Sequence, residues 1–304
     1  MLIDRPRKIV AIVGPTASGK TALSIALAKK YNGAVVSADS RQVYRGMDIG
    51  TGKVTKREMR GVPHYLLSIA SPKRTFTAAA YRAKARKAVE AITRAGKLPI
   101  VCGGTGFYID TLLTNTSLPD VKPNASLRKK MDVMKTKDLF AMLMKKDLRR
   151  AETIDRNNRR RLIRALEIIA MTGKPVSAQS LAPAIYKDIL FIGLRPNKKK
   201  LARNIHDRLT LRLRRGMVAE VKRLHDKDGV GWERLDDLGL EYRYISRYLR
   251  GILTKQEMIT QLETESRHYA KRQMTWFKRN SATHWIANAK TADSLVKKFL
   301  ATPR

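Results

Sequence analysis

The chain has 304 residues and a formal net charge of +37, from 63 Lys and Arg against 26 Asp and Glu, and 43% of it is hydrophobic. That length and apolar fraction support a large domain with a smaller one. The single cysteine, Cys102, excludes an internal disulfide and a cysteine-based zinc site, and no apolar run approaches the ~18–20 residues of a membrane span. The excess of positive charge suits a polyanionic partner, above all nucleic acid, although a basic proteome would leave the same excess. Ile9 to Val13 is a short apolar run ending in Gly14-Pro15, not a signal peptide. The expected setting is a soluble protein in a reducing compartment.

In chain order, Lys8 to Val13 is β-branched, apolar and stopped by Gly-Pro, which predicts a buried strand. A helix is predicted over Lys20 to Tyr31 and a second strand over Ala34 to Ser37. Tyr81 to Ala95 has the pattern of a basic amphipathic helix ending at Gly96, and Leu98 to Cys102 that of a third strand closed by Gly103-Gly104. After Leu113 the character changes. A Pro/Asn/Ser-rich connection over 115–124 leads into a charge-crowded helical pattern from Ser126 to Thr172, broken by Gly173-Lys174-Pro175. Ile189 to Leu194 has the composition of another strand, which predicts a return to the sheet. From Lys198 to Phe299 the pattern is mostly amphipathic helix, with breaks near Gly229 to Gly231 and at Gly251.

Strands alternating with helices predict an α/β fold: a P-loop NTPase-like core with a parallel sheet and helices on both faces. A helical insertion domain and a helical C-terminal part complete it. The expected bounds are 1–114 for the first part of the core, 115–188 for the insertion, and 189–304 for the rest of the core.

Gly14-Pro15-Thr16-Ala17-Ser18-Gly19-Lys20-Thr21 fits G-x-x-x-x-G-K-[ST], between a predicted strand and a predicted helix. Glycines let backbone N–H groups approach phosphate oxygens, and the helix N-terminus adds positive potential. Lys20 adds a point charge, and the Thr21 hydroxyl can ligate Mg²⁺. The motif identifies a di- or triphosphate, not a reaction. Asp39 follows the second strand, at the end of the sheet where such folds bind ligands. A carboxylate there can serve as a general base, a ribose acceptor or a partner of a metal, or simply cap a turn.

The phosphate loop is followed by Ser37-Ala-Asp-Ser-Arg-Gln-Val-Tyr-Arg-Gly-Met-Asp-Ile-Gly-Thr-Gly-Lys53. Further along come Gly103-Gly-Thr-Gly-Phe-Tyr108, Arg161-Leu-Ile-Arg-Ala-Leu-Glu167 and Ala270-Lys-Arg-Gln-Met-Thr-Trp-Phe277. In content and order these blocks closely resemble the tRNA dimethylallyltransferases (tRNA isopentenyltransferases). The resemblance implies transfer of the dimethylallyl group of dimethylallyl diphosphate to N6 of the adenosine 3′-adjacent to the anticodon, with release of diphosphate. By this resemblance, Asp39 takes the proton from the adenine amine and Thr105 contacts the reacting nucleotide. Gly14 to Thr21, with Mg²⁺ on Thr21, hold the diphosphate, and Arg208 contacts the same group. Contacts to the tRNA anticodon stem-loop are implied for Asp39, Ser40, Arg41, Gln42 and Thr105. They are also implied for Arg128, for Arg160, Arg161, Leu162, Ile163 and Arg164, and for Arg243. Tyr242-Arg243 resembles a Gly-Tyr-Arg block of the family, with Glu241 in place of its glycine. The implied enzyme is a cytoplasmic monomer without a membrane partner.

The residues alone leave other readings open. The Arg159 to Arg161 run could be a solvated helix face. Arg267, Lys271, Arg272, Lys278 and Arg279 could track phosphates, while Tyr269, Trp276 and Phe277 between them suit core anchors better than stacking platforms. A phosphate loop also serves kinases. A prenyltransferase could use free AMP, and an RNA-binding protein could carry a relic loop. The charge favours a nucleic-acid substrate over the first two, and intact Lys20, Thr21, Asp39 and Thr105 argue against the last.

Overall fold

The structure, a computed structural model, describes residues 8–302 apart from 115, 117, 120 and 179–185. The connection 115–124 and the return towards the sheet therefore lie partly outside the described residues. Two compact units divide the chain: residues 1–114 with 184–304, and residues 115–183.

The larger unit is built on six strands: β1 (Ile9–Val13), β2 (Gly33–Ser37), β3 (His64–Tyr65), β4 (Leu98–Cys102), β5 (Ile189–Leu194) and β6 (Thr283–Ile286). All pairs are parallel, in the order β3-β2-β4-β1-β5-β6. β1 is central because every one of its side chains is buried. Ile9, Ala11 and Val13 pack on one face with Tyr81, Ala85 and Val89 of the Ala78–Arg94 helix. Val10 and Ile12 pack on the other with Leu23 and Leu27 of the Lys20–Lys30 helix and Val296 of the Ala289–Ala301 helix. A strand buried on both faces is the reason its sequence is continuously apolar. The fold is thus α/β with a P-loop-like core and helices on both faces of the sheet.

Two strands escape the sequence pattern. β3 has two residues, and β6, Thr-His-Trp-Ile, interrupts a stretch that looks helical. Tertiary pairing to β5, in register Phe191↔Thr283 to Leu194↔Ile286, decides that segment.

A third apolar cluster joins the C-terminal helices to the segment after β2. Val43, Tyr44 and Met47 pack with Leu209, Val221, Leu224, Tyr242 and Met258. The smaller unit has its own core, around Leu139, Leu143, Leu162, Ile163 and Leu166. It comprises helices Ala125–Asp132, Thr136–Lys146, Leu148–Thr153 and Arg159–Thr172, the last ended by Gly173 in the left-handed conformation.

Candidate active site

The C-terminal ends of parallel strands gather loops into a crevice, and here they enclose a cavity of about 690 Å³ in the larger unit. The phosphate loop forms one side. Gly14, Ala17 and Gly19 have positive φ, which turns successive N–H groups inward, and Gly14 packs against the Leu194 backbone where a Cβ would come within 2.8 Å. Gly19 begins the Lys20–Lys30 helix, and no side chain caps that end. The Ser18 hydroxyl, also buried here, has no hydrogen-bond partner. An open helix start beside an unpartnered hydroxyl suits an anionic group.

Lys20 donates to the Pro15 carbonyl at 2.6 Å. Removal from water, with nearby Arg208 adding to the effect and Cys102 and Asp39 opposing it, lowers its pKa to about 8. Arg208, from the Lys198–Arg214 helix, donates to the Thr16 hydroxyl. Burial, reinforced by Arg212, lowers its pKa to about 10. Asn204 of the same helix holds the Ala17 carbonyl at 3.0 Å. One helix therefore braces the loop from the outer side.

Asp39 follows β2. Its Oδ1 accepts from the N–H groups of Arg41 at 2.8 Å and Gln42 at 3.3 Å, which folds the segment into a tight turn. Gly103, at the end of β4, makes the neighbouring approach: a Cβ there would lie 2.1 Å from the Ala38 carbonyl oxygen. This close approach lets Thr105 N–H reach Ala38 O at 3.1 Å. The Thr105 hydroxyl accepts from Ser40 N–H at 3.0 Å and lies 3.3 Å from the Ser40 hydroxyl. Asp39, Ser40 and Thr105 are thereby joined in one network, and Asp39, Lys20 and Arg208 line the same cavity.

Several residues that hold this site have no role that the sequence assigns. Gln273 accepts from Thr16 N–H at 2.7 Å and donates to Gly104 O at 2.8 Å, so it ties the phosphate loop to the β4 turn. Tyr269, expected as a core anchor, lines the cavity. Glu220 is buried and accepts from the N–H groups of Asp48, Ile49 and Gly50 at 2.7–2.9 Å and from the Tyr242 hydroxyl at 2.8 Å. It fixes the loop from Asp48 to Lys53, which forms the opposite wall. Arg212 donates to Gly50 O at 3.0 Å and pairs with Glu241 at 3.1 Å. Glu241 thus holds an arginine of the cavity wall.

The remaining expected tRNA residues are distributed. Arg41 and Gln42 are half-buried beside Asp39. Arg243 donates to Asp236 O at 2.8 Å. In the smaller unit, buried Glu167 accepts two bonds from Arg128 at 2.8 Å, one from Arg164 at 2.6 Å and one from Asn124 N–H at 2.7 Å. Burial opposes its charge, but these bonds prevail and hold its carboxyl at about 2. Arg128 and Arg164 are therefore fixed in place while remaining part-exposed. Arg160 and Arg161 are exposed, whereas Leu162 and Ile163 turn into the core. Arg159 instead donates to Met131 O and Met134 O inside the unit. At the end of the Lys255–Phe277 helix, Phe277 is buried and Trp276 donates to Asp110 at 3.0 Å, and just beyond it Arg279 lies 3.9 Å over the Trp276 ring.

Residues 42–280 match the family model described as IPP transferase. The chain belongs to the IPP transferase family. Among curated members, it is 40% identical to the tRNA dimethylallyltransferase of Pediococcus pentosaceus, across 91% of this chain and 90% of that one. It is 38% identical to the tRNA dimethylallyltransferase of Bacillus subtilis, across 95% and 94%. The fold is similar to the full-length tRNA isopentenylpyrophosphate transferase of Bacillus halodurans, with a TM-score of 0.72 at 37% identity over 97% and 96%. It is also similar to a eukaryotic dimethylallyltransferase described as acting on tRNA, with a TM-score of 0.78 at 28% identity over 96% of this chain and 77% of that one. Among the described residues of this IPP transferase, no helix is long and apolar enough to cross a membrane.

Proposed function

We propose that this IPP transferase moves the dimethylallyl group from dimethylallyl diphosphate to N6 of the adenosine 3′-adjacent to the anticodon of tRNA, giving N6-isopentenyladenosine and diphosphate. The observation that carries the reading is one cavity shared by a phosphate loop and Asp39, with Thr105 bonded into the Asp39 turn. The adenine nitrogen attacks C1 of the prenyl group, the C1–O bond breaks, and both electrons leave with the diphosphate. The N6 proton passes to Asp39 through Oδ2, because Oδ1 is held by the turn. General-base help of this kind contributes roughly 10²–10⁴-fold. Backbone N–H groups of residues 17–21 with Lys20 and Arg208 stabilise the charge that builds on the leaving oxygens.

Mg²⁺ fits this donor set. Thr21 is exposed at the open helix start. The Thr21 hydroxyl would be the protein group that holds the ion. Its chemistry there is neutralisation of the leaving group. Arg128, Arg160, Arg161, Arg164, Arg243 and the Asp39–Gln42 turn are assigned to tRNA, Leu162 and Ile163 serving as the packed side of their helix. The tRNA substrate supports a cytoplasmic setting.

The test is transfer of labelled dimethylallyl diphosphate into unmodified tRNA with Mg²⁺, run beside AMP and beside γ-labelled ATP as donor. Label in tRNA alone supports the proposal; label in AMP, or phosphoryl transfer from ATP, replaces it.

Lys20 also gives the reaction a pH signature. With a pKa near 8, its ammonium is present at neutral pH and is lost as pH rises through that value. The KM for the donor is expected to be flat below pH 8 and to climb up to about tenfold per pH unit above it. Lys20→Arg, which stays charged, should flatten the profile. A wild-type KM that ignores pH in this range would remove Lys20 from diphosphate binding.

A further inference from the structure

A second cavity, of about 510 Å³, opens on the larger unit away from the phosphate loop. Arg45, Lys73 and Arg74 line it with Ser71 and Thr75, and no carboxylate does. All three cations are exposed. Among the described residues none of the three is engaged in an ion pair, whereas Arg223 and Arg250 elsewhere in the same unit are paired with Asp228 and Asp236. Three like charges around one hollow repel each other, and a bound anion would relieve that repulsion.

The backbone ties this hollow to the Asp39 turn. Ser68 N–H donates to Gln42 O at 3.1 Å, Ile69 N–H to Val43 O at 2.8 Å and Arg45 N–H to Ala70 O at 2.9 Å, so residues 68–70 run beside residues 42–45. Phe76 N–H donates to the Tyr44 hydroxyl at 3.0 Å. Arg234 donates to the same hydroxyl at 3.1 Å, to Pro72 O at 2.8 Å and to Arg74 O at 2.9 Å. The loop bearing Lys73 and Arg74 is therefore held by its carbonyls while its cationic side chains stay outside. Asp39 and Arg45 are six positions apart, at most ~22 Å of chain.

We infer that Arg45, Lys73 and Arg74 form a seat for the sugar–phosphate backbone of the RNA whose adenine reaches Asp39. The inference rests on the prenyl-transfer reading for its polymer. A strand that delivers a base to Asp39 carries a phosphate at every nucleotide step, so phosphates flanking that base pass near the residues tied to the Asp39 turn. Exposed Lys and Arg contact such phosphates without regard to base identity. The seat accordingly contributes affinity and orientation rather than the choice of nucleotide.

The test is binding of unmodified tRNA by wild type and by the triple variant Arg45→Ala/Lys73→Ala/Arg74→Ala over a range of salt, with prenyl transfer measured separately. A charge-matched control, Lys290→Ala/Lys297→Ala/Lys298→Ala, lies on the Ala289–Ala301 helix away from any assigned tRNA residue. The hollow variant should bind tRNA at least about tenfold more weakly at low salt. Its slope of log K against log salt should be shallower by about 0.7–0.9 for each phosphate that the variant no longer neutralises. Its KM for dimethylallyl diphosphate should not change. An unchanged Kd and slope, or an equal weakening in the control, overturns the seat. Wild type that binds tRNA yet transfers no prenyl group would overturn the functional reading instead, and the binding comparison still decides the seat.

Discussion

Asp39→Asn is expected to lower the rate of prenyl transfer by roughly 10²–10⁴-fold while leaving tRNA binding and folding intact. The asparagine keeps an oxygen where Oδ1 now accepts from Arg41 and Gln42, so the turn and the Thr105–Ser40 bond persist. What disappears is the basic oxygen that takes the N6 proton. Single-turnover transfer with saturating tRNA isolates that step from binding. A variant with the normal rate would show that the amine loses its proton elsewhere, and Asp39 would then be a turn residue only.

Glu220→Ala is expected to have the second largest effect, through a wall of the cavity rather than through the reacting atoms. It removes the acceptor of three backbone N–H groups and of the Tyr242 hydroxyl in one step. The Gly50 N–H and the Tyr242 hydroxyl are buried, and each such donor left unpaired costs ~1–3 kcal/mol, so the Asp48–Lys53 loop should detach, with a fall in stability of about 2 kcal/mol or more. Because that loop lines the donor cavity, kcat/KM for dimethylallyl diphosphate should fall by about 10²-fold, the scale expected for a displacement near 1 Å. Glu220→Gln keeps the shape but turns an N–H₂ towards two of the four donors, and should lose less on both measures. Thermal unfolding and donor kinetics check this together. Unchanged stability and unchanged donor kinetics in the alanine variant would remove the clamp from the account.

These two variants also mark the boundary of what the sequence discloses. Asp39 is legible because it follows a short apolar strand, and the phosphate loop because a strand, glycines and a helix follow one another over residues 9–30. Such signals are local. Glu220 is not legible: it stands on an ordinary amphipathic helix, and the N–H groups it holds lie 170–172 positions away in the chain. Gln273 spans 257 positions to Thr16 for the same reason. Tyr269 has the pattern of an anchor because periodicity shows only that a face is apolar, not that a cavity opens beside it.

The arginine block of the smaller unit shows a different limit. A run of five consecutive helical residues, 160–164, must include inward positions at about 3.6 residues per turn, and Leu162 and Ile163 occupy them. Glu167, a turn beyond, gives Arg128 and Arg164 fixed directions, which the charge pattern alone does not convey. β6 is hidden because its few residues carry too few alternations to outweigh the helical pattern around them.

The most direct measurement is to digest tRNA after reaction with dimethylallyl diphosphate and to locate the added mass by spectrometry. The account predicts N6-isopentenyladenosine at the nucleotide 3′-adjacent to the anticodon and at no other position, formed by Asp39→Asn roughly 10²–10⁴-fold more slowly. Prenyl groups on other nucleotides, or an unmodified tRNA in the presence of bound, folded enzyme, would contradict it.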